Sequence, residues 1–84
     1  MTRYERALLE RITVNPKILN GRPVIRNLPL SVEQILAMLA AGEGYEAVLN
    51  ANPLLEQDDI LACLEYARRL VVCMRLSGAD LPPD

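Results

Sequence analysis

Helix start and stop signals recur after residue 31, and they constrain the fold more than any other feature of the sequence. Ser31 and Gln34 form the Ser-x-x-Gln pattern that caps a helix N-terminus, and Gly42 stands where a helix end favours glycine. Between them, apolar residues recur at helical spacing. The pattern predicts a first helix from about Val32 to Ala41.

A shorter helix is predicted next along the chain. Tyr45, Val48 and Leu49 lie on one face of a helical projection, and Asn52-Pro53 ends it. Only a few residues separate it from the first helix. The two helices are therefore expected to be joined by a tight turn.

A third helix is predicted to begin around Glu56. Leu55 and Ile60 are spaced as a hydrophobic staple, and Asp58 and Asp59 suit the positive first turn of a helix. Adjacent residues of a helix point in different directions, which argues against a metal site or a catalytic carboxylate pair here. The stripe expected to pack on the other helices is Ile60, Leu64, Ala67, Val71 and Met74.

The first 30 residues carry mixed signals. The segment "YERALLERI" is compatible with a short helix, and "ITV" is β-like. Asn20-Gly21, between two apolar segments, is a strong hairpin signal because both residues tolerate positive φ. Pro23 lacks an amide donor, so a strand that contains it is an edge strand or starts there.

Composition supports a helical core. Aromatic residues make up 4% of the 84 residues and Trp and Phe are absent, so Leu, Ile, Val, Ala and Met must build the interior. We predict one mainly α domain over 1–84: a basic arm or hairpin (1–30), a three-helix bundle (31–77) and a frayed tail (78–84). Helix, short turn, short helix and longer helix follow in the order of a homeodomain-like helix-turn-helix.

Charge is divided along the chain. Residues 1–30 contain six basic and two acidic side chains, whereas residues 31–67 contain seven acidic side chains and no basic one. Two solvated faces would account for this division, as would complementary contact between arm and body. Such contact is open to three arrangements: within one protomer, across a dimer, or with a partner of opposite pattern.

Several function classes have little support. Histidine, the usual general base near neutral pH, is absent, and no cofactor motif is evident, so we predict no enzyme, no cofactor and no metal site. Cys63 and Cys73 are ten residues apart in one predicted helix, too far to bridge, and are interpreted as small hydrophobes. No apolar run is long enough to span a bilayer and no signal peptide is evident, so a cytoplasmic location is expected.

The segment "LVVCM" is apolar on every side of the third helix. Something must cover such a surface. The covering is expected to be a second copy of the chain, with packing under the N-terminal segment as the alternative. The predicted dimer interface is Leu70, Val71, Val72 and Met74.

The chain from about Leu9 to Leu70 resembles a known family. The arm positions that fit its basic-Pro-x-Ile-Arg signature are Arg11-Ile12, Pro16, Ile18, Gly21, Pro23, Ile25 and Arg26. The positions that fit its helices are Val32, Ile35, Leu36, Gly42, Asp59-Ile60, Leu64 and Tyr66-Ala67. The chain is similar in these segments to the small bacterial proteins grouped as domain of unknown function family 433.

The resemblance implies a homeodomain-like fold with a β-like arm. It also implies a VapB-type antitoxin role, because many members are thought to neutralise a PIN-like ribonuclease encoded next to them. Such a toxin is an acid-rich nuclease, which a basic arm would suit. The arm is then expected to dock on the toxin and block its cleft through Arg22, Pro23, Val24, Ile25 and Arg26.

The sequence departs from the family pattern at two positions. Asn27 stands where the family usually has glycine, and Pro29 where it has an arginine. Asparagine can still adopt positive φ, whereas the lost arginine predicts a weaker grip on an anionic partner. The alternative function is a DNA-binding autoregulator that uses the arm, because duplex DNA would repel the acidic start of the third helix.

Overall fold

The computed structural model describes residues 2–76, which form four helices and a small antiparallel sheet. In chain order the elements are α1 (Arg3–Leu9), β1 (Ile12–Thr13), β2 (Val24–Ile25), α2 (Val32–Ala40), α3 (Tyr45–Ala51) and α4 (Gln57–Leu76). The expectation of a mainly helical protein with an N-terminal β-like arm is confirmed. The tail expected over 78–84 lies outside the described residues.

The short N-terminal helix α1 is held at its start by a reciprocal cap. The hydroxyl of Thr2 accepts the Glu5 amide at 3.0 Å, and the Glu5 carboxylate accepts the Thr2 amide at 3.3 Å. Leu8 is buried where α1 faces α4, whereas Tyr4 is 58% exposed. The helix therefore attaches to α4 mainly through its last turn.

The hairpin differs from the one predicted at Asn20-Gly21. Ile12 pairs with Ile25 and Thr13 with Val24, so ten residues connect the strands. Asn15 redirects the chain before Asn20 is reached, because its side chain accepts the Lys17 amide at 2.9 Å and its carbonyl the Ile18 amide at 2.9 Å. Asn20 and Gly21 do have positive φ, at 59° and 82°, but they serve a left-handed turn within this connection.

A tight turn follows β2 directly. Arg26 and Asn27 both have positive φ, 46° and 58°, and the Leu28 amide donates to the Ile25 carbonyl at 2.7 Å. Asn27 therefore adopts the positive φ expected of it. The returning chain forms a bridge between Val24 and Ser31, so β2 lies between β1 and the segment leading to α2.

The predicted helix ends are confirmed in α2 and α3. The Ser31 hydroxyl caps α2 by accepting the Gln34 amide at 3.0 Å, and Gly42 follows its end with a φ of 94°. α3 stops before Asn52-Pro53, as predicted. The four-residue connection between Ala40 and Tyr45 is the expected tight turn.

The core lies where β2, α2, α3 and the first half of α4 meet. Leu55 and Ile60, the predicted staple, are both buried, and they extend a cluster completed by Ile25, Val32, Ile35, Val48 and Cys63. These apolar side chains come from β2, α2, α3, α4 and the segment before α4. The hairpin thus contributes to the same core as the helices.

The stripe predicted along α4 is fully buried only at Ile60, and Ala67 further along is half-buried. Ile60 is buried, but Leu64, Val71 and Met74 are 39%, 49% and 38% exposed. Ala62 and Cys63 instead face inward at 0% exposure, and their small side chains leave room for the other elements to come close to the helix. Which residues of α4 are buried therefore depends on the side of the helix that faces the other elements, and not on the hydrophobicity of each side chain.

Both cysteines are free, as their spacing predicted. Cys63 lies in the core, and burial raises the pKa of its thiol to about 12, so it behaves as a small apolar residue. Cys73 is exposed. Among residues 2–76 there is also no helix long and apolar enough to cross a bilayer.

Candidate interaction surface and its supporting ion network

Asp59, in the first turn of α4, is a fully buried carboxylate. Arg26 grips it with two donors, Nε to Oδ1 at 3.1 Å and a terminal nitrogen to Oδ2 at 2.9 Å. Arg11 adds a bond to Oδ1 at 3.0 Å, and the Glu56 amide one to Oδ2 at 2.8 Å. We call these four residues, Arg11, Arg26, Glu56 and Asp59, the Asp59 network. A buried carboxylate needs such paired and directed donors to remain charged.

The hairpin register places both arginines of the Asp59 network. Arg11 immediately precedes β1 and Arg26 immediately follows β2, and the Arg26 amide donates to the Arg11 carbonyl at 2.8 Å. Because Ile12 faces Ile25 across the sheet, the two arginines stand next to each other at the same end. The hairpin therefore presents two guanidinium groups to one carboxylate.

Further contacts fasten the same two arginines. Arg11 reaches the Glu56 carboxylate at 2.8 Å and that of Asp58 at 3.8 Å, while Arg26 donates to the Leu54 carbonyl at 2.8 Å. The arm is thus tied both to α4 and to the segment before it. Of the three arrangements left open for the divided charge, these residues adopt contact within one protomer.

The surroundings of Asp59, Arg11 and Arg26 favour the charged form of each group. Burial raises the pKa of Asp59, but the hydrogen bonds from Arg26, the Glu56 amide and Arg11 outweigh burial and lower that pKa below its usual value. Hydrogen bonds to Glu56 and Asp59 raise the pKa of Arg11, and the bond to Asp59 raises that of Arg26. All three groups therefore keep their charges.

Asp59 has a larger role than the sequence interpretation gave it. The helix dipole accounts for an acidic first turn, but it does not require a carboxylate to be buried and gripped by two arginines. Arg11 was absent from the predicted site. The sequence did contain one indication that Arg11 belongs with Arg26 and Asp59. All three fit the family pattern although they lie far apart along the chain.

The structure separates the five predicted partner contacts into two groups. Arg22 is exposed and Pro23 is half-buried. Val24 and Ile25 are 0% exposed, and the guanidinium of Arg26 is engaged by Asp59. A partner could reach Val24 and Ile25 only if the hairpin left the core, whereas Arg26 is 38% exposed but already bonded to Asp59.

An apolar groove of about 360 Å³ opens beside the accessible pair. We call it the groove; its lining residues come from the arm, the first turns of α2 and the middle of α4. Arg22 and Pro23 line one wall and Leu70 lies on α4 opposite. The structure therefore brings together residues from the predicted partner site and the predicted dimer interface.

The other predicted dimer residues continue along α4. Leu70 and Val71 are about half exposed, Met74 is 38% exposed and Val72 is half-buried. α1 covers α4 further upstream, around Leu61 and Leu64. Packing under the N-terminal helix therefore does not bury Leu70 and Val71 within the part of the chain described.

The connection between the strands forms a second accessible surface, which we call the arm loop, residues 14–22. Val14 is 63% exposed and Leu19 is 41% exposed. Lys17 and Arg22 are also exposed, and neither forms an ion pair within residues 2–76. Leu19 has a φ of 47°, a left-handed conformation that is unfavourable for leucine.

Within the described residues, no group of three or more Cys, Asp or Glu side chains is arranged to hold a metal ion. The acidic start of α4 is occupied by arginine instead. The geometry thus defines a small helical domain with a hairpin clamped to α4, an exposed arm loop and an apolar groove.

Comparison with known protein families identifies the family of the chain. Residues 12–67 match the family described as "Protein of unknown function (DUF433)", and the chain belongs to this family. It is 38% identical over 61 residues to "Uncharacterized protein y4eO" of Sinorhizobium fredii (strain NBRC 101917 / NGR234), a match that covers 73% of this chain. The matched segment covers 28% of that relative's length. No solved structure matches the chain.

Proposed function

We propose that the chain is a non-enzymatic, antitoxin-like interaction module that binds and neutralises a PIN-like ribonuclease in the cytoplasm. The observation that carries the proposal is the arm loop, which exposes two apolar side chains, Val14 and Leu19, beside two cations, Lys17 and Arg22. An acid-lined nuclease cleft has the complementary charge pattern. Arg22 lies at the end of the arm loop, where it borders the groove.

Leu19 is suited to be the apolar anchor of the arm loop. Its left-handed φ costs about 1–2 kcal/mol for a residue with a Cβ. Its side chain nevertheless stays 41% exposed within the chain. Backbone strain of this kind is concentrated at functional sites. A partner that buries the Leu19 side chain would offset the cost of its left-handed conformation.

The Asp59 network supports this function by positioning the arm loop. Both ends of the loop continue into strands whose flanking arginines are fixed to Asp59. A loop with anchored ends loses less conformational freedom when it binds. Val24, Ile25 and Arg26 are then the base that holds the arm loop, and Lys17, Leu19 and Arg22 are the contacts.

The divided charge favours the same partner chemistry. Arg11 and Arg26 pair with Asp59 and its neighbour Glu56, and the cations of the arm loop form no ion pair with these carboxylates. Lys17 and Arg22 remain available to an external anion. An acidic partner therefore meets uncompensated positive charge at the arm loop.

A second candidate function is a DNA-binding autoregulator. α2, α3 and α4 follow in helix-turn-helix order, and we propose that they correspond to a homeodomain-like bundle. The exposed carboxylates of Glu56 and Asp58 at the start of α4 would repel phosphates there. Lys17 and Arg22 favour DNA contact through the arm instead. A low-salt gel shift on the upstream region tests this candidate, and the absence of a shift would remove it.

Co-expression with the product of the adjacent gene tests the antitoxin proposal. The wild-type chain is expected to co-purify with that nuclease and relieve its toxicity. Lys17→Glu with Leu19→Ala should weaken co-purification at least about tenfold, because both a charge contact and an apolar anchor are lost. Arg3→Glu is the matched control, since Arg3 is an exposed cation on α1 outside the arm loop.

Two results would contradict the proposal at different levels. Retention of full affinity by the double variant would show that the arm loop is not the contact. A nuclease that fails to co-purify with the wild-type chain and remains toxic beside it would overturn the antitoxin function. Circular dichroism spectra of all variants should match the wild type, because the substituted side chains lie outside the core.

A further inference from the structure

The groove and the half-exposed residues Leu70 and Val71 of α4 form one continuous surface. Tyr66, Ala67 and Leu70 of α4 line the groove, and Met74 follows Leu70 by one helical turn. The surface therefore has a hollow, bounded by the arm and α2, and a ridge that begins at the half-exposed Leu70. Ala67 lies between them, and its small side chain would allow another helix to come close.

Two opposite charges flank this hollow. Arg22 on the arm and Glu33 in the first turn of α2 both line the groove and are both exposed. They form no ion pair with each other or with any other described residue. A partner that fits here must offer a cation and an anion at matching places around an apolar centre.

We propose that this surface is the interface of a two-fold symmetric homodimer. Leu70 of each copy enters the groove of the other, and Arg22 of each copy pairs with Glu33 of the other. In a two-fold interface the same patch of both copies is in contact. If residue i of one copy contacts residue j of the other, residue j of the first copy also contacts residue i of the second. One Arg22 and one Glu33 in each copy are therefore enough for two identical cross-subunit ion pairs.

The charges distinguish a second copy from an unrelated partner. The surface is complementary to a second copy of itself. The Leu70 ridge of one copy fits the hollow of the other, and the Arg22 cation of one copy meets the Glu33 anion of the other. An acidic partner would satisfy Arg22 but would be repelled by Glu33. In the dimer Arg22 would be engaged by Glu33, which leaves Lys17 and Leu19 of the arm loop for the nuclease. The dimer proposal itself does not depend on that partner.

Reversing the charge of Arg22 or of Glu33 tests the symmetric dimer, because the proposed symmetry predicts one result for each variant alone and the opposite result for their mixture. Arg22→Glu places like charges opposite each other twice in the homodimer, and so does Glu33→Arg. Each single variant should dimerise at least about tenfold more weakly than the wild type in sedimentation equilibrium. An equimolar mixture of the two should form a heterodimer of nearly wild-type affinity, because both cross pairs again join opposite charges.

Matched variants separate charge pairing from apolar packing. Leu70→Glu should abolish the dimer whether alone or mixed with either charge variant. Glu43→Arg makes the same charge change at an exposed site outside the groove and should leave the affinity unchanged. The proposal is overturned if the wild type sediments as a monomer at high micromolar concentration. It is equally overturned if the two charge variants dimerise like the wild type, or if mixing them fails to restore association.

Discussion

Asp59 shows how one carboxylate can serve a helix and a distant hairpin at once. It is the third residue of α4 and accepts the amide of Glu56, the residue that precedes the helix. A side chain that reaches back in this way stabilises a helix N-terminus. The remaining acceptor positions of Asp59 are taken by the guanidinium groups of Arg11 and Arg26. The residue that starts α4 therefore also positions the arm.

Replacing Asp59 should be more damaging than replacing its neighbour. Asp59→Ala leaves two guanidinium groups and the Glu56 amide without their acceptor, and both arginines are partly solvated. We expect a loss of about 2–3 kcal/mol in the free energy of unfolding, measured by urea denaturation. Asp58→Ala removes a half-exposed carboxylate 3.8 Å from Arg11 and should cost less than about 1 kcal/mol. Equal losses in the two variants would contradict a special role for Asp59.

At the scale of elements, the sequence was informative where structure is local. Ser31, Gly42 and Asn52-Pro53 act within their own helix ends, so they predicted the limits of α2 and α3 to within about one residue. The buried face of α4 was missed, because it depends on which neighbours reach Ala62 and Cys63. Likewise Asn20-Gly21 has the expected positive φ, but Asn15 had already turned the chain away from a tight hairpin.

The two glycines between α2 and α3 should respond oppositely to one substitution. Gly42 has a φ of 94°, so Gly42→Ser should cost about 1 kcal/mol from strain alone, since no atom lies within 4 Å of an added Cβ. Gly44 precedes α3 with a φ of −80° and supplies no side-chain cap. Gly44→Ser should add a few tenths of a kcal/mol by capping α3. Thermal unfolding of both variants measures the difference, and a shift of the same sign in both would contradict it.

At the scale of the whole molecule, part of the divided charge is used inside the fold: of the six basic side chains in residues 1–30, Arg11 and Arg26 pair with the acidic segment. The first 30 residues and residues 31–67 are oppositely charged, and the closest contacts between them lie around Asp59. Sequence reasoning recognised the division and the separate residues. It could not show their convergence, because Arg11, Arg26 and Asp59 meet only when the hairpin forms and packs on α4. Contacts over such separations carry no local signal.

Acid should remove the stabilisation that Asp59 provides. The pKa of Asp59 is lower in the folded chain than in the unfolded one, so its contribution is fully present above about pH 4, the ordinary Asp value. It is lost as the pH falls through the lower, folded-state pKa. The free energy of unfolding of the wild type should therefore approach that of Asp59→Asn as pH falls from 7 to about 2. A gap between the two that is constant over this range would contradict the assignment, and urea titrations at each pH measure it.

The hairpin register has a consequence for folding errors. A slip of one residue between β1 and β2 would turn Ile25 out of the core and carry the guanidinium of Arg26 away from Asp59. The misaligned chain would then contain a buried carboxylate short of its donors, which is among the most unfavourable defects a small protein can have. Strands of only two residues offer few hydrogen bonds with which to specify their own alignment. Asp59 therefore favours the correct register of this hairpin, since only that pairing of the strands brings both arginines to its carboxylate.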